Sequence, residues 1–276
     1  MFLGIDCGTQ GTKALLVSEQ GDVVARGYAP HELIEKANGA REQQPQWWVE
    51  ALRTAVQQAL SGVDASKVRG IGVSGQQHGL VLLDENKQVI RPAKLWNDTE
   101  TAPQNDELIA MFGGHQAFFE KFGIVPRTGY TVSKLLWLKQ REPENFARVR
   151  HILLPHEYLN FWLTGVMRAE CGDASGTAYF DVRTREWARE VLDAIDGGTG
   201  QLFRALPLLI ESDQVVGTLR PEVAAEFGLS SDCMVSAGGG DNMMGAIGTG
   251  NVRAGVVTLS LGTSSTVYSY RPAPVL

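Results

Sequence analysis

Two stretches far apart in the chain carry one pattern. Ile5-Asp6-Cys7-Gly8-Thr9-Gln10-Gly11-Thr12 and Leu259-Ser260-Leu261-Gly262-Thr263-Ser264-Ser265-Thr266 align on Gly8 and Gly262. Each reads as an apolar position, two residues, Gly, Thr, two small or polar residues and Thr. Apolar residues flank both turns, so each copy predicts two strands joined by a hairpin. Oriented backbone N–H groups and hydroxyls at such a turn make a concave site for phosphate. Two copies with a glycine-set carboxylate between them predict a duplicated fold that holds a polyphosphate between its halves.

That carboxylate is Asp241, in Val235-Ser236-Ala237-Gly238-Gly239-Gly240-Asp241-Asn242-Met243-Met244-Gly245. Three glycines allow backbone conformations closed to other residues and let another backbone or a ligand come close. The acid after them is expected on a loop rather than on a regular face, with a solvated Asp in a tight turn as the plainer alternative. Other phosphate motifs fit worse. Gly11-Thr12-Lys13 lacks the Gly-Lys-Ser/Thr ending of a P-loop, and Gly245 falls at the wrong spacing for a dinucleotide fingerprint begun by Gly238 and Gly240.

The 276 residues, 43% hydrophobic, suit a globular chain of about two domains. With 25 Lys+Arg against 31 Asp+Glu the net charge is −6, which argues against nonspecific binding to nucleic acid or an anionic membrane. No apolar run reaches the roughly 20 residues that span a bilayer, and the N-terminus lacks a charged-then-apolar signal region. Cys7, Cys171 and Cys233 are odd in number and widely spaced, which suits a reducing cytoplasm and small packing side chains. The five histidines form no metal-ligand spacing, since Pro155 lies between His151 and His156.

Phe2–Asp6, Lys13–Ser18 and Val23–Tyr28 predict an antiparallel meander. A helix opened by Pro45 follows, with Trp48, Leu52, Ala55, Val56, Ala59 and Leu60 on one face. Val68–Ser74 is then a buried strand, and this order implies an α/β layer architecture. The glycine-bracketed Gln76, Gln77 and His78 lie at its end, where functional side chains often project; a plain turn histidine is the alternative. Trp96-Asn97-Asp98 would suit a polyhydroxylated sugar, with core packing as the alternative for Trp96. Residues 103–148 look helical, and Asp173 reads as a helix cap. The last hairpin, over Val256–Tyr268, cannot bury its faces unaided, so a further domain is expected beyond it.

In the same order, Gly4-Ile5-Asp6-Cys7-Gly8-Thr9, Gly75-Gln76-Gln77-His78-Gly79, Leu95-Trp96-Asn97-Asp98, Gly238-Gly239-Gly240-Asp241-Asn242 and Leu261-Gly262-Thr263-Ser264 resemble the motifs of the FGGY carbohydrate kinases. The resemblance extends over essentially the whole chain, including Trp47-Trp48 and the segment Leu153–Leu159. The Gln-Gln-His-Gly and Trp-Asn-Asp segments resemble members that act on xylulose. It implies an α/β fold of the actin-like ATPase, ribonuclease H-like type, a mixed sheet flanked by helices. Residues 1–246 would be the sugar-binding domain and 247–276 the truncated start of the ATP-binding domain, with the active site in the cleft.

The resemblance also implies a reaction, ATP-dependent phosphorylation of D-xylulose to D-xylulose 5-phosphate. Asp241 would be the general base. Gln77, His78, Asp241 and Asn242 would contact the sugar, with Trp96 and Asn97. Asp6 would hold Mg²⁺ through water. Thr9, Gln10, Gly11 and Lys13 would face the ATP phosphates from one side, and Gly262 and Thr263 from the other. The implied partners are a small sugar and ATP, with neither nucleic acid nor membrane, and a homodimer is allowed. Gln77 departs from the methionine common at that position. The adenosine pocket of the family lies in the part of the second domain that is absent here, so weak ATP binding and little kinase activity are expected of this chain alone. The alternatives are a family kinase for ribulose, gluconate or glycerol, which a substrate panel separates; an actin-like ATPase, which sugar dependence of ATP hydrolysis separates; and a sugar-binding module without catalysis.

Overall fold

A computed structural model describes residues 1–261 and 265–273. Strands β1 (Phe2–Cys7), β2 (Gly11–Val17) and β3 (Val23–Pro30) form the expected antiparallel meander. Side chains alternate across it: Leu3, Ile5, Cys7, Ala14 and Leu16 are buried, while Phe2, Lys13 and Leu15 lie on the more open face. Helix α1 (Pro45–Leu60) starts on a proline, which needs no intrahelical N–H partner there, and buries Trp48, Leu52, Ala55 and Val56. Such a crossover lets the next strand, β4 (Gly70–Gly75), run parallel to β1.

β5 (Val215–Thr218) and β6 (Met234–Ser236) extend the sheet to the order β5-β6-β4-β1-β2-β3. β4 and β6 are parallel, and β5 and β6 antiparallel, so the sheet is mixed. One apolar cluster joins this sheet to α1 and to the helices Pro155–Thr164 and Pro221–Phe227, through residues such as Trp48, Leu159 and Phe227. A second cluster gathers Leu108, Phe118, Leu135, Trp137, Val191 and Ile195 from the helical middle of the chain. The strand Val81–Leu83 is shared: Val81 and Leu83 belong to the first cluster, Leu82 and its neighbour Leu80 to the second. A strand buried on both faces reads as an unbroken apolar run, which Leu80–Leu83 is.

Cys7 and Cys233 are buried, free thiols, as packing residues should be; burial pushes Cys7 up to about 12. Cys171 is free and half-buried. The terminal strands Val257–Leu261 and Ser265–Ser269 pair as the second predicted hairpin. Its register differs from the first: Cys7 pairs with Thr12 but Leu261 with Ser265. No helix among the described residues is long and apolar enough to cross a membrane.

Candidate active site

The β1–β2 turn closes through Gly8 N–H to the Gly11 carbonyl, 3.1 Å. Asp6, near the end of β1, accepts from Ser74 Oγ on the neighbouring strand at 3.0 Å and lies 3.9 Å from the exposed Lys13 ammonium. Thr9 uses its hydroxyl internally: it donates to Gln76 Oε1 at 3.0 Å and accepts from Trp96 Nε1 at 2.9 Å. Gln76 in turn donates to Gln43 Oε1, which also accepts from Trp48 Nε1, both at 2.9 Å. A chain of satisfied polar groups thus ties α1 to the indole of Trp96. Gln10 is exposed, and Gly11 is buried at the start of β2.

Past the end of β4 the turn sorts its residues. Gln76 is buried in the network just described, while Gln77 and His78 reach the cavity. His78 holds φ at +63°, a left-handed conformation uncommon outside glycine. Its ring stacks on Tyr130 with centroids 4.4 Å apart, and its carbonyl accepts from the buried Lys134 Nζ at 2.5 Å. Burial and the charge of Lys134 push His78 down to about 4, so the imidazole is neutral near pH 7. Burial likewise pushes Lys134 down to about 7.

The glycine run has a geometric cause. Met234 and Val235 pair with Gly70 and Ile71, but Gly239 and Gly240 pair with Ser74 and Gly75, so this edge carries one more residue than β4 over the same span. The extra residue is taken up as a bulge around Gly238, whose φ is +70° and whose added Cβ would meet the Val73 carbonyl oxygen at 2.1 Å. A Cβ on Gly240 would sit 2.8 Å from Gln77 Cγ and 2.9 Å from Asp173 Oδ1. Asp241 then begins a helix, Asp241–Gly248, rather than lying on the expected loop, because Gly240 leaves the extended edge directly as its N-cap. Its Oδ1 accepts from Asn242 N–H at 2.8 Å. Burial pushes the Asp241 carboxyl up to about 6; the charges of Asp6 and Asp173 add to this and the Asn242 hydrogen bond opposes it.

Thr9, Gln77, His78, Trp96, Asp241 and Asn242 line one cavity of about 310 Å³, together with Ser260 and Thr266 of the last hairpin. Trp96 is 38% exposed there, so it is not a core residue. Asn97 does not line the cavity, and its buried Oδ1 has no partner among the described residues. Asp98 turns inward, accepting from Lys94 Nζ at 3.0 Å. Gly262 and Thr263 lie outside the described residues. The carboxylates of Glu42, Asp98 and Glu100 converge, but the Lys94 ammonium sits among them at 3.3, 3.0 and 2.5 Å. Asp6 fits a magnesium ion better, since its carboxylate is part-exposed and Mg²⁺ commonly takes one or two carboxylates with water and substrate phosphates.

Sequence reasoning missed Asp173. It is buried, not a cap; Glu170 caps that turn by accepting from Gly172 and Asp173 N–H. Asp173 accepts from Gln77 Nε2 at 3.3 Å and pairs with buried His156 Nδ1 at 2.8 Å. Burial disfavours the charged imidazole, but the hydrogen bond and charge of Asp173 outweigh it and raise the His156 pKa. An Asp in a Gly-rich segment gives no local signal of a partner across the fold. Tyr130 and Lys134, at the start of the helix Thr131–Arg141, were equally silent.

The N-terminal-domain model of the FGGY family of carbohydrate kinases matches residues 1–248. The xylulose kinase of Haemophilus influenzae is 54% identical over all of this chain and 57% of its own length. Among solved structures, a ligand-bound xylulose kinase from Lactobacillus acidophilus superposes with a TM-score of 0.88 at 26% identity, over 96% of this chain and 53% of that one. A gluconate kinase from the same organism superposes with a TM-score of 0.89 at 25% identity, over the same shares. The chain spans about half the length of the curated relatives it matches. Match and superposition agree with the actin-like α/β architecture: the chain belongs to the FGGY family of carbohydrate kinases.

Proposed function

We propose that this chain supplies the acceptor half of an ATP-dependent kinase that converts D-xylulose to D-xylulose 5-phosphate. The observation that carries the reading is Asp241. It is a carboxylate at a helix start, in a polar cavity with Gln77, neutral His78, Asn242 and the Trp96 indole. Asp241 accepts the proton of the terminal sugar hydroxyl as that oxygen bonds to the γ-phosphorus of ATP. The bond from phosphorus to the ADP bridging oxygen breaks, ADP leaves, and Asp241 later loses the proton to water. Base assistance of this kind typically contributes about 10²–10⁴-fold. Gln77, His78 and Asn242 orient the hydroxyls, and Trp96 offers an apolar face.

Thr9 has no free hydroxyl hydrogen, so its part toward phosphate falls to its backbone, with the Gln10–Gly11 turn and the Lys13 ammonium adding donors and charge. Gly262 and Thr263, which lie outside the described residues, are assigned to the phosphates in this reading only through the resemblance. Asp6 would hold Mg²⁺, which when bound neutralises charge on the phosphate oxygens. Residues 1–246 act as the sugar-binding domain and 247–276 as the beginning of the ATP-binding one, in the cytoplasm. The 54% identity to a xylulose kinase favours this sugar, although a gluconate kinase shares the fold equally well.

The test is Asp241→Asn in the full-length protein. We expect kcat to fall by about 10²-fold or more, with KM for D-xylulose within a few-fold of its original value. An unchanged kcat would sink the assignment, and a panel of ketoses and gluconate would show whether the sugar is wrong.

A further inference from the structure

The cavity amides are not free to choose which end they present. Asp173 when ionised can only accept, and Gln77 Nε2 lies 3.3 Å from its Oδ1, so Gln77 must point its nitrogen at the carboxylate. That leaves Gln77 Oε1 to accept from Asn242 Nδ2 at 2.8 Å, and Asn242 Oδ1 to accept from Thr266 Oγ1 at 3.0 Å. On the other side His156 Nδ1–H donates to Asp173 Oδ2. Every donor in this chain points toward the one buried carboxylate, although it runs from the helix Pro155–Thr164 to the last hairpin. Gly240 closes the remaining space, lying against both Gln77 and Asp173.

We infer that Asp173 is a positioning residue of the acceptor site, which fixes the orientation of the Gln77 carboxamide and through it that of Asn242. Each amide then keeps one N–H with no partner among the described residues, so the wall it lines presents donors to hydroxyl oxygens of a sugar. Polyols or ketoses with an oxygen acceptor at that wall are the ligand class it suits. This rests on the acceptor-site reading of the cavity, but the relay itself does not need a ligand to be detected.

Asp173→Asn removes the obligatory acceptor, since the substituted amide can offer either end. In the ligand-free chain, the side-chain NH₂ resonances of both Gln77 and Asn242 should shift, although Asn242 does not touch Asp173. D-Xylulose affinity, by titration calorimetry, should fall about tenfold or more, in keeping with a lost hydrogen bond to a charged group. Gln77→Leu breaks the relay one step later, leaving His156 and Asp173 paired. It should also move the Asn242 NH₂ and weaken D-xylulose about tenfold, and adding Asp173→Asn should bring little further loss. A fixed Asn242 resonance in either variant, or multiplying affinity losses in the double variant, would overturn the relay and leave Asp173 a merely structural residue. Should Asp173→Asn fail to fold, Gln77→Leu decides by the same two readouts. If the unsubstituted chain binds no ketose, the acceptor-site reading for this chain fails, while the amide resonances still settle the relay.

Discussion

Burial acts in opposite directions on the two titratable side chains that face the cavity, because one is an acid and the other a base. It pushes Asp241 up to about 6, where the neutral acid is favoured, and His78 down to about 4, where the neutral imidazole is. Near pH 7 the pair is therefore one ionised carboxylate and one uncharged hydrogen-bonding ring. As pH falls through about 6, Asp241 takes up a proton and can no longer accept one from a hydroxyl. The raised pKa also means that Asp241 favours folding most when protonated, and that this contribution fades as pH rises from the ordinary carboxylate range toward 6. We expect a ¹³C-detected titration of the ligand-free chain to give an Asp241 midpoint well above 4, with the His78 ring titrating below 5. An Asp241 midpoint in the ordinary carboxylate range would mean that the cavity is wetter than it looks. At this scale Asp241, Gln77, His78 and Trp96 were legible because glycines or a polar neighbourhood marked them. Asp173 and Lys134 were not, since their meaning comes from partners far away in sequence.

Elements built by local rules were the readable ones. The meander follows from two-residue alternation and α1 from its apolar stripe and opening proline. The glycine run was read correctly as a place of close approach but wrongly as a loop: its bulge and edge pairing exist only because β4 lies beside it. This yields a separable pair of effects. Gly238→Ala would force a Cβ against the Val73 carbonyl at a left-handed φ, so backbone must move. A cost of about 1–3 kcal/mol is the usual scale for such strain, and thermal melting should show it. Gly240→Ala instead presses on the Gln77 and Asp173 side chains, which can yield at the expense of the relay. It should weaken D-xylulose binding more than it lowers the melting temperature. Equal stability losses with no difference in binding would refute the division of roles between the two glycines.

The whole molecule places its cavity where two apolar clusters meet. The turn Gln76–Gly79 joins the end of the main sheet to the strand shared by both clusters, and Tyr130 and Lys134 reach His78 from the helical side. Motif order was enough to identify the architecture, and Phe118, Leu135, Leu136, Trp137 and Leu138 read as packing residues. Which helices they join in this second cluster was not legible, since no local pattern encodes those contacts. A ligand gripped by Asp241 and Asn242 on one side and by His78 on the other would couple the two clusters. Binding to the folded state alone stabilises by about 2.7 kcal/mol at a ligand concentration 100 times Kd. In chains of roughly this size a kcal/mol moves the melting temperature by about 2–4 °C, so saturating D-xylulose should raise it by about 5–10 °C. Because both clusters hold the site, a single transition should move as a whole. A split transition with only its main-sheet component shifted would mean that the sugar is held by that side alone, and the His78 wall would lose its assigned role.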